Sequence, residues 1–141
     1  MSKTTMGFLF TGLAYLVIGV TLGALFFIIP EIRVLRPVHT HLNLVGFITF
    51  SIFGIGYHIL PRFRGNPLYS ESMAWWQFWF SNIGLVGLIV FMGIGAYQYS
   101  ESVRVVQAIF GAILAMSMYL FIYNMLLTLI GKQRGMKNER T

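Results

Sequence analysis

Histidines are the residues of this sequence best suited to chemistry, and two of the three, His39 and His41, are one residue apart in RPVHTHLNLVGF. Residues two apart in a helix point about 200° away from each other, so this pair cannot easily hold one ion together. The spacing suits a helix between two flat prosthetic groups, or between one such group and a partner subunit. It does not suit a compact tetrahedral zinc site, which needs more ligands than this chain supplies.

Helical periodicity gives each histidine of the pair its own face. Asn43, Gly46 and Phe50 follow His39 on one face, and a glycine below a histidine leaves room for a flat ligand. The other face carries His41 together with Val45, Ile48 and Ile52. A histidine at a helix end can also simply hydrogen-bond to water among lipid headgroups. Because ionisable residues inside a span mark functional sites by default, two of them on opposite faces favour function.

The composition is that of a membrane protein. Of the 141 residues, 57% are hydrophobic and 10% are charged, whereas soluble domains are about a quarter charged. The cysteine count is zero, which excludes disulfides, thiolate metal sites and cysteine nucleophiles. The formal charge of +6 arises mostly beside membrane spans, so we expect no nucleic-acid partner.

Four apolar runs divide the chain, at residues 7–29, 38–60, 74–97 and 103–130, and the second is closed by Pro61. Each reaches the roughly 20 residues that a helix needs to cross the hydrocarbon of a bilayer. We therefore predict an all-α fold, a single integral membrane four-helix bundle over residues 1–141.

The distribution of basic residues predicts the orientation. One side holds Lys3, Arg62, Arg64, Lys132, Arg134, Lys137 and Arg140, and the other holds Arg33, Arg36 and Arg104. This places both termini in the cytoplasm, in a multi-pass protein of the inner (plasma) membrane, with the tail KQRGMKNER as an anchor to anionic lipid. His39 and His41 then lie near the outer surface. His58 lies roughly 25 Å further along the helix, near the inner surface, and we do not expect it to be a ligand.

Two stretches carry a resemblance to a known family. HTHLNLVGFITFSIFGIGYHILPRF and MAWWQFWFSNIGLVGLIVFMGIG resemble the tenth and eleventh helices of subunit I of the haem–copper oxidases. The cbb-type cytochrome c oxidases and their nitric oxide reductase relatives are the most similar members. In that family the first histidine of the pair holds the high-spin haem and the second holds the low-spin haem. The resemblance implies these roles for His39 and His41, respectively.

The cofactor implied is haem b, held non-covalently because the sequence offers no cysteine to attach it. Asn43 and Gly46 belong to the predicted site through their shared face with His39. Arg33 and Arg36 precede the pair and could bind the haem propionates by charge-assisted hydrogen bonds, although both also suit a solvated loop.

The sequence also departs from the family pattern. It has no counterpart of the second-helix histidine that completes the low-spin haem, and it lacks the three copper-ligating histidines. We therefore expect that the chain is not a self-sufficient oxygen or nitric oxide reductase. A second copy of the chain would be the simplest source of a missing axial ligand, which predicts a homo-oligomer. Met92 is an internal alternative, although packing explains it better.

These observations predict a membrane b-type haem protein in respiratory electron transfer, with a quinol or a cytochrome c as a possible redox partner. A haem-based module that binds or senses nitric oxide or another gas is one alternative. A cofactor-free structural accessory subunit of a respiratory complex is another.

Overall fold

Four long helices make up the part of the chain that the computed structural model describes, residues 1–131. The first span is Lys3–Ile28, the second is Pro30–Arg64, the third is Glu71–Tyr97 and the fourth is Glu101–Ile130. Each is long and apolar enough to cross a membrane, and residues 1–131 contain no strand. The predicted all-α, four-helix membrane fold is confirmed. The tail predicted to anchor to lipid, residues 132–140, lies outside the described residues.

A serine caps the N-terminus of the first, third and fourth spans. Each of these serines precedes, by a few residues, the apolar run that predicts its span. Ser2, Ser70 and Ser100 each accept a hydrogen bond from the backbone N–H three residues further on, at 3.2, 3.1 and 3.2 Å. These caps satisfy N–H groups that the helix itself leaves free. Hydropathy does not register polar caps, which is why the observed helices are longer than the runs.

The second span changes its helical form along its length. A 3-10 segment over Pro30–Leu35 and an α-helical turn over Arg36–His41 lead into a π-helical stretch over Leu42–Thr49, and α-helix resumes over Phe50–Arg64. In the π-helical stretch the Phe50 N–H donates to the Val45 carbonyl, five residues back. Such widened turns often occur at functional sites. This one directly follows His41.

Pro61 lies inside the second span rather than at its end, where the apolar run places it. The helix continues to Arg64 and ends at Gly65, whose φ of 69° is the left-handed conformation that glycine adopts without strain. A proline can either bend or end a helix. Hydropathy alone does not distinguish the two cases.

An aromatic cluster holds the spans together in the half of the bundle that contains the start of the first span. Phe8 is fully buried and packs edge to face against Phe50 and Phe78, with ring centroids 5.2 and 5.1 Å apart. The ring centroids of Phe53 and of Phe121, a residue of the fourth span, are 4.5 Å apart. The cluster therefore fixes the second span against the first, and so determines where His39 meets the first span.

Candidate functional site

His39 faces the first span and is oriented by a backbone carbonyl. Its Nδ1 lies 2.8 Å from the Gly19 carbonyl oxygen. Asn43 Nδ2 also lies 3.3 Å from this nitrogen but is closer to the His39 carbonyl. Because a carbonyl can only accept, the shorter contact to Gly19 favours the tautomer in which Nδ1 carries the proton and Nε2 keeps its lone pair. A carbonyl on the non-ligating nitrogen is the usual arrangement around metal-binding histidines. The ring is therefore held in the tautomer that can ligate a metal through Nε2.

Two glycines of the first span, Gly19 and Gly23, make the space for this arrangement. A Cβ at Gly23 would lie 2.6 Å from Cε1 of His39, and a Cβ at Gly19 would lie 2.6 Å from Nδ2 of Asn43. Asn43 Nδ2 donates to the His39 backbone carbonyl at 2.8 Å. The Phe26 ring meets the His39 ring edge to face, with centroids 5.5 Å apart. The glycine pair thus acts as a slot that receives His39 and Asn43.

A cavity of about 750 Å³ opens beside His39. Its wall consists of Val20, Gly23, Phe26, Phe27, Arg33, Arg36, His39 and Thr40. The Arg33 Nε donates to the Phe26 carbonyl at 3.0 Å, which fixes this arginine at the rim, and Arg36 is exposed. The fold therefore brings together three of the predicted site residues, His39, Arg33 and Arg36.

The chemistry of this cavity fits a haem. Its volume lies within the roughly 300–1,000 Å³ that is usual for ligand sites. Val20, Phe26 and Phe27 offer an apolar surface to a macrocycle, His39 offers an imidazole nitrogen, and the two arginines offer positive charge to propionates. Met92 is not among the residues of the wall.

The sequence suggested that Gly46 opens space for a flat ligand, but in the structure it does not. It is buried, and a Cβ there would lie 2.7 Å from the Cβ of Tyr15. The Tyr15 hydroxyl donates to Asn82 Oδ1 at 2.8 Å, which ties the first span to the third. The missing side chain of Gly46 therefore permits close helix packing. Asn43 does not line the cavity either, and it acts on the site through its bond to His39.

His41 lies on a different face from His39, as helical periodicity predicts. Its Nδ1 donates to the Pro37 carbonyl at 2.9 Å, so its Nε2 also keeps a lone pair. The residues that follow it on this face, Ile48 and Ile52, are 45% and 55% exposed. His41 does not line the cavity beside His39. The two imidazoles thus lie on different faces of the second span, and His39 alone of the two lines this cavity.

His58 lies apart from both. The Arg62 guanidinium donates a hydrogen bond to one ring nitrogen of His58, because a neutral imidazole has a single ring nitrogen that can accept. The ring lone pair of His58 is therefore directed at a cation. Within residues 1–131, no group of three histidine, cysteine, aspartate or glutamate side chains could hold a metal ion.

The sequence interpretation missed Gly19, Gly23 and Phe26. Gly19 and Gly23 are four residues apart, the spacing of small residues at close contacts between membrane helices, so a signal was present. Their partners could not be known, because the contact joins residues about twenty positions apart in the chain, on two different helices.

The four long apolar helices define an integral membrane protein of the four-helix class. Sequence comparison identifies the family: the model described as Cytochrome C and Quinol oxidase polypeptide I matches residues 3–141, and the chain belongs to that family. The predicted resemblance is confirmed. A cytochrome c oxidase subunit 1 homolog of Agrobacterium tumefaciens (strain T37) is 26% identical in an alignment 120 residues long, and the match covers 68% of this chain and 22% of that protein. The chain thus spans about a fifth of the length of this relative.

Proposed function

We propose that this protein binds b-type haem near the outer surface of the inner (plasma) membrane and takes part in respiratory electron transfer. The observation that carries the proposal is the cavity where His39, Arg33 and Arg36 meet. A haem, when bound, supplies an iron that alternates between two oxidation states. Attachment is non-covalent, because the sequence contains no cysteine.

Each residue of the cavity has its own task in this proposal. His39 ligates the iron through Nε2, while the Gly19 carbonyl holds the ring and makes the ligating nitrogen more basic. Arg33 and Arg36 hold the propionates by charge-assisted hydrogen bonds. The apolar wall, Val20, Phe26 and Phe27, keeps water away from the macrocycle. His41 ligates a second, low-spin haem on the other face of the helix.

We propose a quinol or a cytochrome c as the redox partner. Support comes from the family description, which names oxidases of both, and from the relative named as a cytochrome c oxidase subunit 1 homolog. Because all four spans are long and apolar enough to cross a membrane, the partner would have to reach the haem within or beside the bilayer.

A haem-based module that binds or senses a gas is the second candidate, and one observation favours it. Among residues 1–131, His39 is the one histidine that lines the cavity. An iron held there by a single histidine keeps a coordination position open for a small gas such as nitric oxide.

Absorption spectra of the purified protein, taken oxidised, reduced, and reduced with nitric oxide, test the proposal. Electron transfer predicts a low-spin, six-coordinate component that nitric oxide does not change. Gas binding alone predicts a spectrum that is high-spin throughout and shifts with nitric oxide. If the protein binds no haem, even after incubation with haemin, both candidates are wrong and a structural role is left.

A further inference from the structure

Another cavity, of about 410 Å³, lies where the second and fourth spans end, at the opposite end of the second span from His39. Its wall consists of Asn66, Pro67, Leu68, Tyr69, Leu127, Thr128, Ile130 and Gly131. Two bonds hold the loop after the second span on the fourth span. The Tyr69 N–H donates to Thr128 Oγ1 at 3.0 Å, and the Ser70 N–H donates to Asn124 Oδ1 at 3.1 Å. The cavity is therefore a fixed part of the fold, separate from the site beside His39.

The polar edge of this cavity offers hydrogen-bond acceptors. Two helices end here, and the C-terminus of a helix presents free carbonyls and a partial negative charge. Asn66 is only 8% exposed, and its Nδ2 donates to the Gly131 carbonyl at 2.9 Å. Its Oδ1 is buried and has no hydrogen-bond partner among residues 1–131. Because such an oxygen is costly to leave unpaired, an occupant of the cavity should bring an N–H donor, and a cationic one suits the helix ends best.

A positive charge lies at the edge of the same cavity. The Arg64 Nε donates to the Leu129 carbonyl at 2.9 Å, and Leu129 lies between two residues of the wall, Thr128 and Ile130. Arg64 is exposed, and the terminal nitrogens of a guanidinium suit a phosphate. The neighbouring Arg62 is instead directed at the His58 ring. The edge of the cavity thus combines a site for a donor with a site for an anion.

The rest of the wall is apolar and continues along the fourth span. Leu127 and Ile130 lie on one face of that helix with Tyr123, and Ile130 and Tyr123 are 73% and 53% exposed. Leu68 adds an aliphatic side chain from the loop. An occupant with a polar head and a long apolar tail therefore matches both parts of the site.

We propose that this cavity binds one phospholipid whose headgroup joins a phosphate to a primary ammonium, phosphatidylethanolamine. The ammonium donates to Asn66 Oδ1, the phosphate accepts from Arg64, and an acyl chain lies along Leu127 and Ile130. The site is independent of the haem proposed above, so each can fail without the other.

Lipids that differ in one feature test this assignment. We expect native mass spectrometry of the delipidated protein in detergent to show one phosphatidylethanolamine per chain, retained about tenfold more tightly than phosphatidylcholine, whose trimethylated ammonium has no N–H to donate. Phosphatidylglycerol, which has no ammonium, should also bind less tightly than phosphatidylethanolamine. Phosphoethanolamine, the same headgroup without acyl chains, should displace the lipid only at a large excess.

Substitutions separate the two contacts of the headgroup. Arg64→Gln keeps a donor for the Leu129 carbonyl but removes the charge, so it should weaken phosphatidylethanolamine and phosphatidylcholine alike, each roughly tenfold. Arg62→Gln is the matched control and should change neither. Asn66→Ala should lower phosphatidylethanolamine to the level of phosphatidylcholine. If Asn66→Ala does not fold, the comparison of the lipids on the wild-type protein decides the role of Oδ1.

Four results would overturn the proposal. Equal retention of phosphatidylethanolamine and phosphatidylcholine would mean that the headgroup donor is not recognised. Tighter retention of phosphatidylglycerol would indicate a site for anionic lipid instead. Displacement by an equal concentration of phosphoethanolamine would indicate a soluble ligand, and an equal loss in Arg62→Gln would indicate general surface charge.

Discussion

At the scale of single residues, the bond between His39 and the Gly19 carbonyl sets the chemistry of the cavity. The bond favours the tautomer in which Nδ1 carries the proton, and so leaves the lone pair on Nε2. Arg33 and Arg36 add positive charge at the rim of the same cavity. The three residues were recognisable in the sequence by their types and spacing. Their meeting at one cavity follows from the fold.

The first prediction concerns the two arginines. Each hydrogen bond between a guanidinium and a propionate should contribute about 1.5–3 kcal/mol, so Arg33→Ala or Arg36→Ala should weaken haem binding roughly tenfold to a hundredfold. Titration with haemin, followed by absorbance, measures the change. Arg104→Ala is the matched control, because Arg104 lies on the same predicted side but pairs with Glu101. An equal loss in the Arg104 variant would mean that general surface charge, rather than the cavity, attracts haem.

At the scale of helices, the first span and the π-helical stretch of the second position the site together. Gly19 and Gly23 let the second span approach closely, and the π-helical stretch begins one residue after His41. Gly12 belongs to the same contact, since a Cβ there would lie 3.4 Å from the Gly46 carbonyl oxygen. The orientation of His39 is thus a property of two helices.

The second prediction tests the glycine slot. A methyl group at Gly23 would lie 2.6 Å from the His39 ring, so Gly23→Ala should displace the ring and sharply reduce haem binding beside His39. The folded state should also lose about 1–3 kcal/mol, the usual cost of overpacking. Haem content and thermal unfolding in detergent measure the two effects.

Gly111 provides the control for this substitution. A Cβ at Gly111 would meet nothing within 4 Å, so Gly111→Ala should leave haem binding unchanged. Alanine favours helix over glycine, and stability should stay the same or rise by up to ~1 kcal/mol. If Gly23→Ala behaves like Gly111→Ala, the slot does not position His39.

The sequence is sufficient to predict the four spans, but it is insufficient to predict the helical form of the second. Hydropathy predicts spans because each must be apolar over the thickness of a bilayer, whatever its neighbours are. A π-helical stretch has no comparable signature in Leu42–Thr49, whose residues also suit an ordinary α-helix. The role predicted for Gly46, which was to leave room for a ligand, was wrong because the sequence does not show which side chain of another helix lies beside this glycine. Only the position of Tyr15, on another helix, shows which group fills the space beside it.

At the scale of the whole molecule, the four spans place residues 1 and 131 on the same side of the membrane. The aromatic cluster around Phe8 lies in the half of the bundle near that side, and the cavity beside His39 lies toward the other. The aromatic cluster and the cavity beside His39 thus lie toward opposite ends of the spans. The distribution of basic residues predicts which of these two ends faces the cytoplasm.

The third prediction concerns this orientation. The excess of basic residues near the packed half predicts that both termini are cytoplasmic. A C-terminal alkaline phosphatase fusion, active only outside the cytoplasm, should be silent, and a fusion within the 3-10 segment around residue 33 should be active. The reversed pattern would place the cavity at the cytoplasmic surface.

The central claim is that His39 ligates haem in the cavity that it shares with Arg33 and Arg36, and chemical rescue tests it most directly. The His39→Gly variant, incubated with haemin, should lack the high-spin haem signal of the wild-type protein. Free imidazole should restore that haem by supplying the missing ligand within the intact cavity. The His58→Gly variant should need no rescue. If His39→Gly keeps the wild-type high-spin haem content and spectrum without imidazole, His39 is not the ligand and the account of the cavity is wrong.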